Sequence, residues 1–161
     1  MPPLVAIVGN SDTGKTTLIE KLVPDLKRRG YTVGTVKHTH HGFKMDKEGK
    51  DTWRHQAAGA DTVVAISPRR IAVVKTSSEE TLEAALPYLE DRDIVLVEGF
   101  KGGNCPKIEI FRKDTAGRPV CLEDPRLLAL VTDVDIELEI PVFGLDEVRA
   151  VADFIEKEFL L

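Results

Sequence analysis

Residues 4–22, LVAIVGNSDTGKTTLIEKL, decide the fold. Leu4, Val5, Ala6, Ile7 and Val8 form an apolar run short enough to be one buried strand, and it breaks at Gly9. Residues 9–16 then satisfy G-x-x-x-x-G-K-[ST] at every fixed position. Beyond Lys15 the apolar residues Leu18, Ile19, Leu22, Val23 and Leu26 recur at helical spacing. A strand, a glycine loop and a helix in this order turn backbone N–H groups towards an anion at the helix N-terminus. The pattern predicts a nucleotide-binding P-loop in which Gly9, Asn10, Ser11, Asp12, Thr13, Gly14, Lys15, Thr16 and Thr17 surround phosphates. Lys15 reaches the β- and γ-phosphates in this reading, and the Thr16 hydroxyl holds Mg²⁺.

The rest of the composition sets limits. With 161 residues, 42% of them hydrophobic and 30% charged, the chain suits a single globular domain over 1–161. No apolar run approaches a membrane span, and MPPLVAIVG enters the first strand at once, so a cytoplasmic protein is expected. Cys105 and Cys121 form neither a disulfide framework nor a CxxC pair. A net charge of −5 argues against general nucleic-acid binding but not against a nucleotide, since the loop supplies its own positive field.

Further elements follow in order. A helix over about 16–29 is stopped by Gly30, and the strand YTVGTVKH comes next. After the polar stretch 38–51, DTWRHQAAG reads as a short helix whose Asp51 suits an N-cap or a role in switching or partner contact, and DTVVAIS with RRIAVVK as a hairpin. Ser77 or Ser78 is placed to cap a helix running through Leu89. DIVLVEGF is a buried strand, KIEIFR alternates as a half-exposed one, and LLALVTD and IPVFG close the sheet before a capped C-terminal helix. The expected class is α/β: a mostly parallel, twisted sheet flanked by helices, with a β-hairpin.

Outside the loop, Glu98 closes IVLVEG, where a strand-terminal acid orients Mg²⁺; the competing reading is a cap on the following loop. Asp133, beside Thr132 at the end of LLALVTD, can accept two hydrogen bonds from the N1 and N2 edge of guanine, or can cap a helix. His38, His40 and His41 gather with Lys37, Lys44 and Lys50 in one polar loop. Imidazoles bind transition metals, but no paired cysteines complete a closed site; a basic loop better suits the nucleotide phosphates or another anionic ligand, and a merely solvated loop is the third reading.

The blocks VGNSDTGKTTL, VKHTHHGFKMDKEGKDTWRHQAAGAD and IVLVEGFKGGNCPKIEIFR, in that order, resemble the MobB family of molybdopterin-guanine dinucleotide biosynthesis adaptor proteins. The resemblance implies a P-loop NTPase fold that binds GTP with Mg²⁺ and hydrolyses it slowly at most. It also implies a homodimer that assists the nucleotidyltransferase joining GMP to molybdopterin, with molybdopterin as a further candidate ligand. By motif position it puts residues 9–17 around the phosphates and Glu98 near Mg²⁺, with His38, His40, His41, Lys50 and Asp51 in a loop beside the site. Two other classes stay open. A small-molecule kinase needs an arginine-bearing lid, for which Arg69 with Arg70, or Arg112, are the candidates; a GTP-dependent metallochaperone needs the histidine cluster as its metal site.

Overall fold

The computed structural model describes residues 1–39, 41–115 and 117–161. It divides into two compact units, Met1–Thr39 with Ala85–Leu161, and His40–Ala84.

The first unit is built on a six-stranded sheet of β1 (Leu4–Val8), β2 (Val33–Lys37), β5 (Ile94–Glu98), β6 (Lys107–Phe111), β7 (Leu127–Thr132) and β8 (Val142–Phe143). The spatial order is β2-β5-β1-β6-β7-β8, and every neighbouring pair is parallel. All C-terminal strand ends therefore share one edge. The loop leaving β1 emerges there between β5 and β6, where open parallel sheets hold their ligands.

Helices α1 (Lys15–Arg28) and α3 (Val148–Phe159) cover one sheet face. Val5, Ile7, Ile94, Leu96, Ile108 and Ile110 alternate onto that face and meet Leu18, Leu22 and Leu26 of α1 and Val151 and Ile155 of α3. Each fully buried leucine or isoleucine contributes roughly 1.5–3 kcal/mol. Arg29 then ties the helices together, donating to Asp25 (2.8 Å) on α1 and to Asp153 and Glu156 (2.7 Å each) on α3. Gly30, at φ +99°, ends α1 in a Schellman turn: Tyr31 N–H donates to Leu26 and Gly30 N–H to Lys27. Pro24 sits inside α1 on its exposed side.

The opposite face is closed by connecting chain, and here the expectation for KIEIFR is corrected. β6 is buried along its whole length, with Lys107 fully buried and Glu109 nearly so. Alternating I-E-I suggests a wet face, but β6 lies inside the sheet, and its charges serve as hydrogen-bonding pins for the loops crossing it. Lys107 Nζ donates to Gly103 O (2.7 Å), Cys105 O (3.3 Å) and Asp124 Oδ2 (2.8 Å). The Glu109 carboxylate accepts Val120 N–H (2.6 Å) and Cys121 N–H (2.9 Å). The buried charges are thus paired or hydrogen-bonded.

Three further expectations are revised. No α-helix forms over 77–89: Pro87 disfavours helix at the residue before it, Ser77 folds into a local turn with Glu79, and a single 3-10 turn (Leu86–Tyr88) remains. In the second unit, α2 (Asp51–Ala57) begins one residue earlier than an Asp51 cap requires; Lys50 is the N-cap, and Asp51 is the first helical residue. The N-cap of α3, Glu147, makes no side-chain bond into the helix; its carboxylate instead reaches back to Gly144 N–H (2.6 Å). The hairpin of the second unit forms as expected from β3 (Thr62–Ser67) and β4 (Arg70–Lys75), antiparallel about Pro68 and Arg69. Among the described residues, no helix is long and apolar enough to cross a membrane.

Candidate functional site

The loop between β1 and α1 is tightly constrained. Gly9 lies at φ +142°, and a Cβ on it would fall 2.3 Å from the Ile110 carbonyl oxygen and 2.9 Å from Thr13 Oγ1. Only glycine fits there. Gly14, at φ +100°, is the N-cap of α1, and Asp12 also takes a left-handed conformation at φ +62°. Thr13 is fully buried and donates its hydroxyl to Asn10 O (3.0 Å), closing the loop from within. Lys15 Nζ donates to Gly9 O (3.2 Å) and Asn10 O (2.5 Å), so the ammonium lies over the loop's concave face. Burial pulls its pKa below the usual lysine range, with Glu98 opposing that shift.

Glu98 ends β5 beside this loop. Its Oε1 accepts the Thr16 hydroxyl at 2.9 Å and lies 3.0 Å from Lys37 Nζ. Strand register explains the grouping: Glu98 is opposite Ile7 on β1 and opposite Lys37 on β2. Hydroxyl and carboxylate oxygens meeting at one point form a donor set suited to a hard divalent cation. Lys15, Lys37 and Lys101 make the surroundings locally basic in a chain of net negative charge.

The turn after Glu98 is strained. Gly99 (φ +89°) and Phe100 (φ +67°) are both left-handed, and for a phenylalanine this costs roughly 1–2 kcal/mol. Gly103 accommodates it, since a Cβ there would sit 2.0 Å from the Phe100 ring. That ring meets His38 edge-on with centroids 4.7 Å apart, and His38 N–H donates to Glu98 O. His38 is thereby fixed beside the backbone of Glu98.

On the β6 side of the loop lies a cleft of about 260 Å³, bordered by Thr13, Gly14, Thr17 and Lys21, the β6-end residues Ile110 and Arg112, and Leu145 and Asp146 after β8. Thr132 is buried and accepts Val134 N–H at 3.1 Å; Asp133 accepts Lys113 N–H at 2.8 Å.

The sequence-derived residues thus fall into groups. The structure brings Thr16 and Glu98 together beside Lys15, and places Thr132 and Asp133 two strands away at the end of β7. His38 belongs to the first unit, whereas His41, Lys50 and Asp51 belong to the second; His40 lies outside the described residues. No group of three or more His, Cys, Asp or Glu that could hold a metal ion occurs among the described residues. Lys37, counted in the sequence among the positive charges of the polar loop, ends β2 and meets Glu98. One residue escaped the sequence reading of the site. Asp146 follows the Gly144–Leu145 turn after a strand too short to stand out.

A parallel sheet with a glycine loop leading from its central strand into a helix, and an acid on the adjacent strand end, defines the P-loop NTPase fold. The family model of "Molybdopterin guanine dinucleotide synthesis protein B" (MobB) matches residues 4–133, and the chain belongs to that family. It is 40% identical to the molybdopterin-guanine dinucleotide biosynthesis adapter protein of Escherichia coli K12, over 96% of this chain and 92% of that one. The adapter protein of Haemophilus influenzae Rd is 38% identical over 96% of this chain and 88% of its own length. A crystal structure of molybdopterin-guanine biosynthesis protein B superposes with a TM-score of 0.76 at 32% identity, covering 96% of this chain and 98% of the other.

Proposed function

We propose that this chain is a GTP- and Mg²⁺-binding adapter in the synthesis of molybdopterin guanine dinucleotide. In this reading it assists the nucleotidyltransferase that joins GMP to molybdopterin, hydrolyses GTP slowly at most, and works in the cytoplasm with residues 1–161 as one nucleotide-binding domain. The observation that carries the reading is the 2.9 Å bond between the Thr16 hydroxyl and Glu98 beside a loop only glycine can build.

Each residue has a distinct task. Backbone N–H groups of residues 12–16 donate to phosphate oxygens, and the N-terminus of α1 adds its partial positive charge. Lys15 exchanges its loop carbonyls for the β- and γ-phosphate oxygens, a short movement because its ammonium already lies on that face. Thr16 and Glu98 would hold Mg²⁺, which would supply positive charge to offset that of the phosphates. In the second unit, the polar stretch with His41, Lys50 and Asp51 supplies groups for an anionic ligand, with molybdopterin the candidate.

A homodimer is part of the proposal. Val64, Ile66 and Ile71 on the hairpin are 56%, 78% and 68% exposed, an apolar surface that a second copy can cover. Calorimetric titration with GTP and ATP, each with Mg²⁺, tests the nucleotide reading. Lys15→Ala removes a charged donor to phosphate worth about 1.5–3 kcal/mol and should weaken GTP binding roughly 10–150-fold, with the circular dichroism spectrum unchanged. Equal affinities for the variant and the native chain would refute it.

A further inference from the structure

The cleft on the β6 side of the phosphate loop assigns the other end of the nucleotide. A nucleoside triphosphate is a linear ligand, with the phosphates at one end and the base at the other. Thr16 and Glu98 stand on the β5 flank of the loop, so the terminal phosphates belong there. The nucleoside must then leave on the opposite flank, over β6. That flank holds the cleft, whose near wall is the loop itself at Thr13, Gly14 and Thr17.

We propose that this cleft is the base site and that Asp146 is the residue that selects guanine. The far wall suits a purine. Leu145 is half-buried and offers an apolar surface, and the half-buried Arg112 offers a guanidinium plane against which a ring can stack. Among the described residues, Asp146 supplies the one carboxylate bordering the cleft. Its two oxygens can accept N1–H and N2–H of guanine, whereas adenine presents a lone pair and a C–H there. The turn carrying Leu145 and Asp146 is held from both sides: Glu147 N–H donates to Gly144 O (3.1 Å) and Gly144 N–H to the Glu147 carboxylate (2.6 Å). Lys21 Nζ lies 3.9 Å from Asp146, an exposed and weak pair that leaves the carboxylate available. Asp133, by contrast, has one oxygen occupied by Lys113 N–H and does not border the cleft.

The inference rests on the nucleotide reading above, and its test separates the two. GTP, ATP and xanthosine triphosphate, each with Mg²⁺, are titrated calorimetrically into the full chain, Asp146→Asn and Asp133→Asn. In Asp146→Asn the introduced amide would donate an N–H to the xanthine 2-oxo group while its carbonyl accepts N1–H. The native chain should prefer GTP, and Asp146→Asn should lose about tenfold or more for GTP while gaining for xanthosine triphosphate. Asp146 lies on the surface, so the variant should fold; thermal denaturation checks this. A GTP preference unaltered in Asp146→Asn overturns the proposal, as does a switch seen in Asp133→Asn instead. Equal native affinity for GTP and ATP overturns base selection but leaves the phosphate site standing. Absence of any nucleotide binding by the native chain overturns the nucleotide reading itself.

Discussion

Removing Asp124 tests whether the buried charge on β6 is an essential part of the fold. Lys107 has no exposed side-chain surface, and among the described residues Asp124 is the one carboxylate that meets its ammonium, at 2.8 Å. In Asp124→Ala the ammonium keeps only the Gly103 and Cys105 carbonyls, at 2.7 and 3.3 Å. Breaking a buried pair and stranding one charge costs about 3–5 kcal/mol. The two carbonyl dipoles remain to solvate it, so the lower end, about 3 kcal/mol, is expected. With a urea m-value near 2 kcal/mol/M, the midpoint should fall by about 1.5 M. The assay must be far-UV circular dichroism, because the single tryptophan, Trp53, lies in α2 of the other unit. Lys107→Met combined with Asp124→Ala should recover at least half of the loss, since no charge is then stranded.

Acidity gives a second readout of the same pair. The hydrogen bond from Lys107, followed by the one from Arg126 N–H, holds the Asp124 carboxyl well below the usual carboxylate range. A depressed folded-state pKa gives stability that is complete above the unfolded value, about pH 4, and is lost as pH falls through the folded value. The gap between the native chain and Asp124→Ala should therefore be widest near pH 6 and narrow steadily towards about pH 3. A gap below about 1 kcal/mol at pH 6, or one that does not narrow in acid, would refute the argument.

Two other perturbations address the phosphate loop. Glu98→Gln keeps an oxygen to accept the Thr16 hydroxyl but removes the charge, so GTP affinity in Mg²⁺ should fall about tenfold towards the value in EDTA, as measured by equilibrium dialysis. Gly9→Ala places a methyl 2.3 Å from the Ile110 carbonyl at a left-handed φ, and should cost about 2 kcal/mol, lowering Tm by roughly 4–8 °C in differential scanning calorimetry.

Much of the first unit could be read from residues 4–22, because an apolar run, two glycines and a 3.6-residue repeat each have one structural meaning in that order. Glu98 was legible for the same reason: it ends a run of four apolar residues, and only a buried parallel strand has both faces covered. What stayed hidden depended on neighbours distant in sequence. The polar residues of KIEIFR are alternate, and nothing local reveals that Asp124 and the Val120 and Cys121 amides arrive to satisfy them. The serines before 79–89 looked like caps, yet Pro87 and the local turn at Ser77 prevailed. Lys37 reaches Glu98 through pairing across the sheet, which no spacing along the chain encodes.

The two charges on β6 have a consequence for how the chain chooses among strand pairings. Parallel strands of short apolar residues are poorly discriminated, because Val, Ile and Leu fit many alignments. Sliding β6 by one residue against β1 and β7 would exchange its faces. Lys107 and Glu109 would then point among Leu18, Leu22 and Ile155, without a hydrogen-bonding partner for either charge. Neighbouring alignments are thus excluded by their electrostatic cost, while the correct one is favoured by fit. A chain bearing leucine at both positions would keep the apolar content of the strand and lose its means of rejecting the wrong partner alignment.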